Sequence, residues 1–443
     1  MLNKKILYLV HCVDTEGPLD ETPNESVKRF NENYKMNLKT NIINLTKIQN
    51  QQIDLNGLEA SAAKCFSKKM LDFNNNWKKI DSMLDIIMSS KFRNKFKDDF
   101  GRGWVFSWHC VDHMGLLNNP RKKDIGYGKV FKHYQNIIKK KRAINDEINW
   151  HFHPLSITKN PLAAATSYTN NYELLNYIIA RRILDNDYFP TVNRPGFHSE
   201  RIDSNFFLES WIPFDYGNQR FDQDSDQPDM VNNRFGDWSR APKTWRGYNP
   251  SIYDYQSKGT LKRYIFRTLN FGTRIRCIEE KHINEAFKEA DKYGSAILAY
   301  CNHDYRNMVE EINELRDKIL KVKRKYKDVK IYFSGAEEAA IKHLGFQNKT
   351  KPKLKISLRD NNIFVAELID GEIFGQQPFL AIKDKKGNYY HDNFDIEIPN
   401  RKWIYTLDIQ TIKINEILEI GIGTAGRYGK YFTKKITFNE FKK

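Results

Sequence analysis

Up to residue 344 short apolar strands alternate with amphipathic helices, and beyond Gly345 the hydrophobic period changes. Such alternation predicts a parallel α/β sheet or barrel, because each parallel pairing needs a crossover long enough to hold a helix. Strands are read at 4–13 (KKILYLVHCV), 104–111 (WVFSWHCV), 148–153 (INWHFH), within 191–197, and at 214–216, 295–301 and 329–333. Helices are read near 127–142, 172–184, 283–293, 306–325 and 334–344, with a helix end at 206–211 and a polar loop over 217–250. In the 306–325 helix Val309, Ile312, Leu315, Ile319 and Val322 share one face, and Lys321, Lys323, Arg324 and Lys325 read as a solvated C-terminal end.

Two segments break the alternation. Residues from about 20 to 100 are rich in Asn and Lys, with helix-spaced apolar positions around Met83, Ile86 and Ile87. They read as a large helical insertion between the first two strands. The second segment, after Gly345, shows period-2 patterns such as Leu354/Ile356/Leu358 and Phe394/Ile396/Ile398. Turn signals recur at 360–362, 386–388 and 424–426, so some seven short strands forming a β-sandwich are expected. The division is drawn as 1–346 and 347–443. The second unit has three possible uses: binding glycan, mediating oligomerisation, or covering one side of the first.

Composition narrows the function classes. The 443 residues carry 72 Lys+Arg against 55 Asp+Glu, a formal charge of +17. That balance suits an anionic partner, but the lysines are spread along the chain and no nucleic-acid module is visible, so no nucleic-acid partner is expected. The five cysteines stand singly, as reduced thiols do. No run reaches the length of a membrane-spanning helix. The start, Met1–Val13, resembles a leader, but His11, Asp14 and Glu16 follow at once; it is read as the first strand of a cytoplasmic protein.

Acidic and imidazole side chains collect at the strand ends, where parallel α/β folds build their sites. Asp14 and Glu16, two apart, project to one face of an extended segment: one carboxylate can bind a cation while the other accepts a proton. As a bare pair they also suit a turn or a helix cap. His151 and His153 repeat the spacing and can offer two imidazoles to one ion, zinc being the expected one. Alone they would equally suit a histidine packed in a core. His303, ending the strand AILAYCN, is a candidate proton donor beside Asp304, which would otherwise cap a helix. Arg194, in the RPGFH segment, can orient a carboxylate. His198, Asp112, His113 and Asp304 are the expected substrate contacts. Trp238, Trp245, Tyr248, Tyr253 and Tyr255 are read either as core or as a sugar-stacking wall.

In order, the segments VDTEGP (13–18), HFHP (151–154), RPG (194–196) and NHD (302–304) resemble the motifs of the polysaccharide deacetylase family, the NodB-homology domain of carbohydrate esterase family 4. The resemblance covers about residues 4–344. It implies a distorted (β/α) barrel, one divalent metal, and hydrolysis of an N-acyl group on a sugar. Carried over by position, Asp14 is the base, Glu16 with His151 and His153 the metal ligands, Arg194 the group orienting the base, and His303 the catalytic acid. The family's acidic motif has adjacent aspartates, whereas Thr15 separates the two carboxylates here. Its histidines lie further apart than His151 and His153. The expected activity is a metal-dependent N-deacetylase of bacterial surface-polysaccharide biosynthesis, acting on a nucleotide- or lipid-linked sugar. The alternative is a catalytically degenerate glycan-binding or assembly protein on the same fold.

Overall fold

The computed structural model describes residues 5–112, 128–154, 167–222, 236–273 and 276–438. Eight parallel strands organise the first part: β1 (Lys5–Thr15), β2 (Ser107–Asp112), β3 (Glu147–Phe152), β4 (Val192–Asn193), β5 (Phe214–Asn218), β6 (Tyr264–Asn270), β7 (Ser295–His303) and β8 (Val329–Ser334). Seven of them, β1 to β7, close on themselves in chain order. Closure depends on the length of β1: its first half, Lys5–Val10, pairs with β8, and its second half, Cys12–Thr15, pairs with β2. One long strand thus serves two neighbours on the same edge, which distorts the barrel.

The strand pattern explains the layers. Tyr8, Val10 and Cys12 are in register with Ile297, Ala299 and Cys301 of β7, and together with Phe214, Tyr216 and Phe266 they form one buried cluster. The helix Ala336–His343 closes the end where the strands begin: Tyr216 donates to the Ala336 carbonyl (2.7 Å), and the Ala336 N–H donates to the Ser107 hydroxyl (2.7 Å). Alternate residues Leu7, Leu9 and Val13 instead join an outer cluster with the helices Glu280–Tyr293 and Met308–Lys323.

Six helices occupy the expected insertion, starting with Pro23–Tyr34, whose Thr22 and Glu25 form a capping box. In the helix Trp77–Ile87, Ile80, Met83, Leu84 and Ile87 face the barrel, while Ile86 is half exposed. The expected strand–helix order otherwise holds, with one omission. The strand β6 was not anticipated, because Arg263 beside it and Arg267 within it look like solvated positions; both are buried, paired to Glu200 and Asp215 and to Glu285. Of the 238–255 aromatics, Trp238, Trp245, Tyr248 and Tyr255 are core, and Tyr253 stands in solvent.

The remainder is antiparallel: β9 (Lys353–Arg359), β10 (Ile363–Asp370), β11 (Phe379–Asp384), β12 (Tyr389–Asp392), β13 (Asp395–Ile398), β14 (Lys402–Thr406), β15 (Ile417–Ala425) and β16 (Tyr431–Thr437). These eight strands, one more than expected, form sheets in the orders β13-β14-β10-β9 and β12-β11-β15-β16. Leu354, Ile356, Phe364 and Trp403 of the first sheet share a core with Leu380, Ile382, Ile420 and Ile422 of the second. The opposite face of the second sheet lies on the helix Tyr172–Asn186, where Phe379, Ala381 and Ala425 pack with Ile183 and Leu184. Gly421 and Gly423 permit this approach, since a Cβ on either would stand 2.8 Å from a methyl carbon of Leu184 or Ile183. Tyr389 donates to Asp185 (2.8 Å) and Lys430 pairs with Glu337 (3.1 Å) across the same junction. Among the described residues, no helix is long and apolar enough to cross a membrane.

Candidate metal centre

At the C-terminal end of β1, Asp14 is in register with His109 of β2 and His303 of β7. Residues in register on neighbouring strands share a face, and the face of Asp14 is the barrel interior. Glu16 continues that parity just past the strand, and Thr15, pointing the other way, donates to the His109 carbonyl (3.0 Å). On β3 the inward residue is His151, paired with Val111, and His153 follows two positions on. The interleaved parities carry two carboxylates and two imidazoles into one buried volume: Asp14 is 2% exposed, Glu16 6%, His151 1% and His153 6%.

Glu16, His151 and His153 form a group whose ligand atoms lie within 4.8 Å of one another. The Nε2 atoms of the two histidines are 2.8 Å apart, and Glu16 Oε1 lies 3.5 Å from His153 Nε2 and 3.9 Å from His151 Nε2. These edges bracket the ~3.4 Å expected between ligands in a tetrahedral site with ~2.1 Å bonds. His151 Nδ1 donates to the Arg194 carbonyl (2.7 Å), which fixes the ring and leaves Nε2 for an ion. The His153 ring lies so close to Gly196 that a Cβ there would be 2.4 Å from His153 Cγ; this contact accounts for the glycine of RPG. Two imidazoles and a carboxylate are a donor set that divalent ions accept, so these residues could hold a metal ion.

Beside this group Arg194 is fully buried and committed: Nε donates to Asp14 Oδ1 (2.7 Å) and Nη1 to the Tyr216 carbonyl (3.0 Å). Burial alone would raise the Asp14 carboxyl, but Arg194 and the surrounding imidazoles hold it well below the usual range. Burial disfavours the charged form of His151, yet Asp14 and Glu16 outweigh it and its pKa is raised. His303 Nε2 stands 3.7 Å from Asp14 Oδ2; burial lowers this imidazole to about 4, so it is neutral at neutral pH. His198, 5% exposed and in the left-handed region (φ 51°), is also held neutral by burial. Arg194 Nη2, His198 Nδ1 and His303 Nδ1 are buried without a hydrogen-bond partner among the described residues, and buried polar atoms of that kind call for water or a ligand.

The other expected substrate contacts resolve differently. Asp112, one residue out of phase with the inward Val111, is held on both oxygens by Arg182 of the flanking helix. Asp304 is fully buried and committed to the scaffold. Its Oδ1 accepts from the Glu16 N–H (2.9 Å), and its Oδ2 from the Gly17 N–H (3.0 Å) and the Tyr134 hydroxyl (2.9 Å), so it holds the segment that carries Glu16. His113 lies outside the described residues.

Three participants were not foreseen. Tyr134 supports Asp304 from the helix Lys129–Lys141. Next to Asp14 is His109, buried and held neutral at about 3 by desolvation. The insertion contributes Asn74, whose Nδ2 donates to the Asp304 and Arg306 carbonyls (both 2.9 Å), fastening the insertion over the end of β7. Only His109 had a signal in the sequence, its even spacing from Ser107 and Val111 on a strand. No family model, curated protein or solved structure matches this chain.

Proposed function

We propose that this chain is a metal-dependent hydrolase that removes an N-acyl group from a sugar. The observation carrying this reading is the convergence of Glu16, His151 and His153 beside an ionised Asp14 held by Arg194. Glu16, His151 and His153 would hold one divalent ion, zinc by their chemistry, which would supply Lewis acidity toward the acyl carbonyl and a lowered pKa for water.

The remaining chemistry belongs to side chains. Asp14 accepts the proton of the attacking water, and Arg194 keeps its carboxylate aimed. His303 is neutral when the cycle begins, so the proton for the departing amine comes from the water itself. Asp14 Oδ2 and His303 Nε2 stand 3.7 Å apart, beyond direct hydrogen-bond reach, so that proton passes from carboxyl to imidazole through one water or once the pair tightens around substrate, and then to the leaving nitrogen. Water adds to the acyl carbon, the C–N bond breaks, and the products are a carboxylic acid and a free amino sugar.

The test is the metal content of the purified protein followed by acetate release from N-acetylated sugar nucleotides. Asp14→Asn should keep the metal and lose release, whereas His151→Ala and His153→Ala should lose both. A protein that binds no divalent ion and releases no acetate would instead be a binding or assembly protein on this fold.

A further inference from the structure

Away from the metal centre, a cleft of about 670 Å³ runs along the helix Ile202–Trp211 where the barrel meets the sandwich. This is the size of an ordinary small-ligand site, ~300–1,000 Å³. One wall is aromatic: Tyr172 and Phe206 are 52% and 50% exposed and Trp211 is half-buried. A single exposed ring is ordinary, but several lining one cleft are what a ligand-binding groove presents. The facing wall, from the sandwich, is built of amides: Gln376, Gln377 and Asn393.

Charge decides what such a cleft can accept. Its ionised groups are already committed within the protein. Asp203 takes the Thr169 N–H and the hydroxyls of Ser167 and Thr169. Glu209 takes the N–H groups of Lys262 and Arg263, and Lys262, the one cation among the described lining residues, donates to the Phe374 carbonyl. Asp203 and Glu209 against Lys262 leave the described lining with a formal charge of −1, which disfavours a phosphate or an acidic peptide. What remains is neutral. The Gln376 side chain and the Tyr172 hydroxyl make no intramolecular hydrogen bond among the described residues, and Asn393 uses its Oδ1 but not its Nδ2. Flat aromatic faces for the C–H side of a pyranose, flanked by amide and hydroxyl groups for its ring hydroxyls, are complementary to uncharged sugar rings.

We infer that this cleft binds the neutral hexose units of an oligosaccharide, whose other end the same chain processes. The second half of that statement rests on the proposed N-deacylase reading; the first does not. Thr169 and Asp203 lie at the starts of helices that follow β3, which carries His151, and β4, which Arg194 directly follows. One end of the cleft therefore sits on the face of the barrel that carries the metal centre. On this account the sandwich is half of a binding site as well as a cover for the barrel.

The test is calorimetric titration of the full chain with the β-1,4-linked tetramer of N-acetylglucosamine, cellotetraose and maltotetraose, with monomeric N-acetylglucosamine alongside. At least one tetramer should bind. Tyr172→Ala with Phe206→Ala should weaken it at least tenfold, and Gln376→Ala severalfold; these side chains are exposed or at the surface, and circular dichroism with the melting temperature checks the fold. The same tetramer should bind His151→Ala with unchanged affinity, which separates the cleft from the metal centre. Failure of all three tetramers to bind, or binding indifferent to the aromatic substitutions, overturns the inference. Tetramer binding by a chain that holds no metal and releases no acetate would leave the cleft standing and remove the catalytic reading.

Discussion

Replacing Asp304 by asparagine isolates what holds Glu16 in place. The carboxylate receives the Glu16 N–H on one oxygen and the Gly17 N–H and Tyr134 hydroxyl on the other. An amide of the same shape has one oxygen, so in either orientation an NH2 group must face a donor. The milder orientation keeps Gly17 and Tyr134 and gives up the bond to Glu16. Hydrogen bonds to charged groups contribute about 1.5–3 kcal/mol, and the lost one fixes the backbone of a ligand. Loss of a supporting partner of this kind typically lowers metal affinity about 10–100-fold, which at 1.4 kcal/mol per decade spans the same range.

The assay is zinc affinity by competition with a chromophoric chelator at pH 8. Burial raises the Asp304 carboxyl to about 7, so at pH 8 the parent carries the full carboxylate. Below that pKa the parent gains a proton and itself loses an acceptor, so the ratio of parent to variant affinity should shrink between pH 8 and pH 6. Taking the ratio cancels the titration of the ligands, which both proteins share. Tyr134→Phe removes one hydroxyl and leaves both N–H bonds, so it should cost about 1 kcal/mol of stability and little zinc affinity. An Asp304→Asn protein that is folded and binds zinc like the parent at pH 8 would refute the argument.

Arg194→Lys should retain zinc but lose at least about 100-fold in kcat for acetate release, because one ammonium cannot serve both Asp14 and the Tyr216 carbonyl; steady-state kinetics with metal analysis checks it. Burial raises Glu311 to about 8, against about 4.5 for the unfolded chain, so between these values the native state holds the extra proton and stability falls as pH rises. Glu311→Gln, which can still accept from Asn302, should flatten that fall and be more stable than the parent by roughly 2 kcal/mol at pH 9, measured by urea denaturation. Gly423→Ala places a methyl 2.6 Å from Phe189 Cδ2 and 2.8 Å from Ile183 Cδ1, and should destabilise the sandwich–barrel junction by about 1–3 kcal/mol, seen as a lowered melting temperature and earlier proteolysis between the two parts.

Strand periodicity explains both what was legible in the sequence and what was misread. Asp14 with Glu16 and His151 with His153 could be paired in advance, because a spacing of two on a strand commits both residues to one face. The same rule, applied one residue further, would have removed Asp112 from the expected contacts. His109 and Val111 point inward, so Asp112 must point outward, where Arg182 meets it. Asp304 follows the inward His303 and likewise turns away, toward Tyr134 and the backbone behind Glu16. A histidine–aspartate or aspartate–histidine pair at a strand end therefore offers one group to the interior and one to the scaffold, and adjacency in sequence is evidence against a shared role. What periodicity cannot supply is the partner. That Asp304 receives two N–H groups, or that Arg263 and Arg267 are buried within ion pairs, depends on contacts between residues tens to hundreds of positions apart. For the same reason β6, with Arg263 beside it and Arg267 within it, stayed hidden, while the apolar run AILAYC of β7 did not.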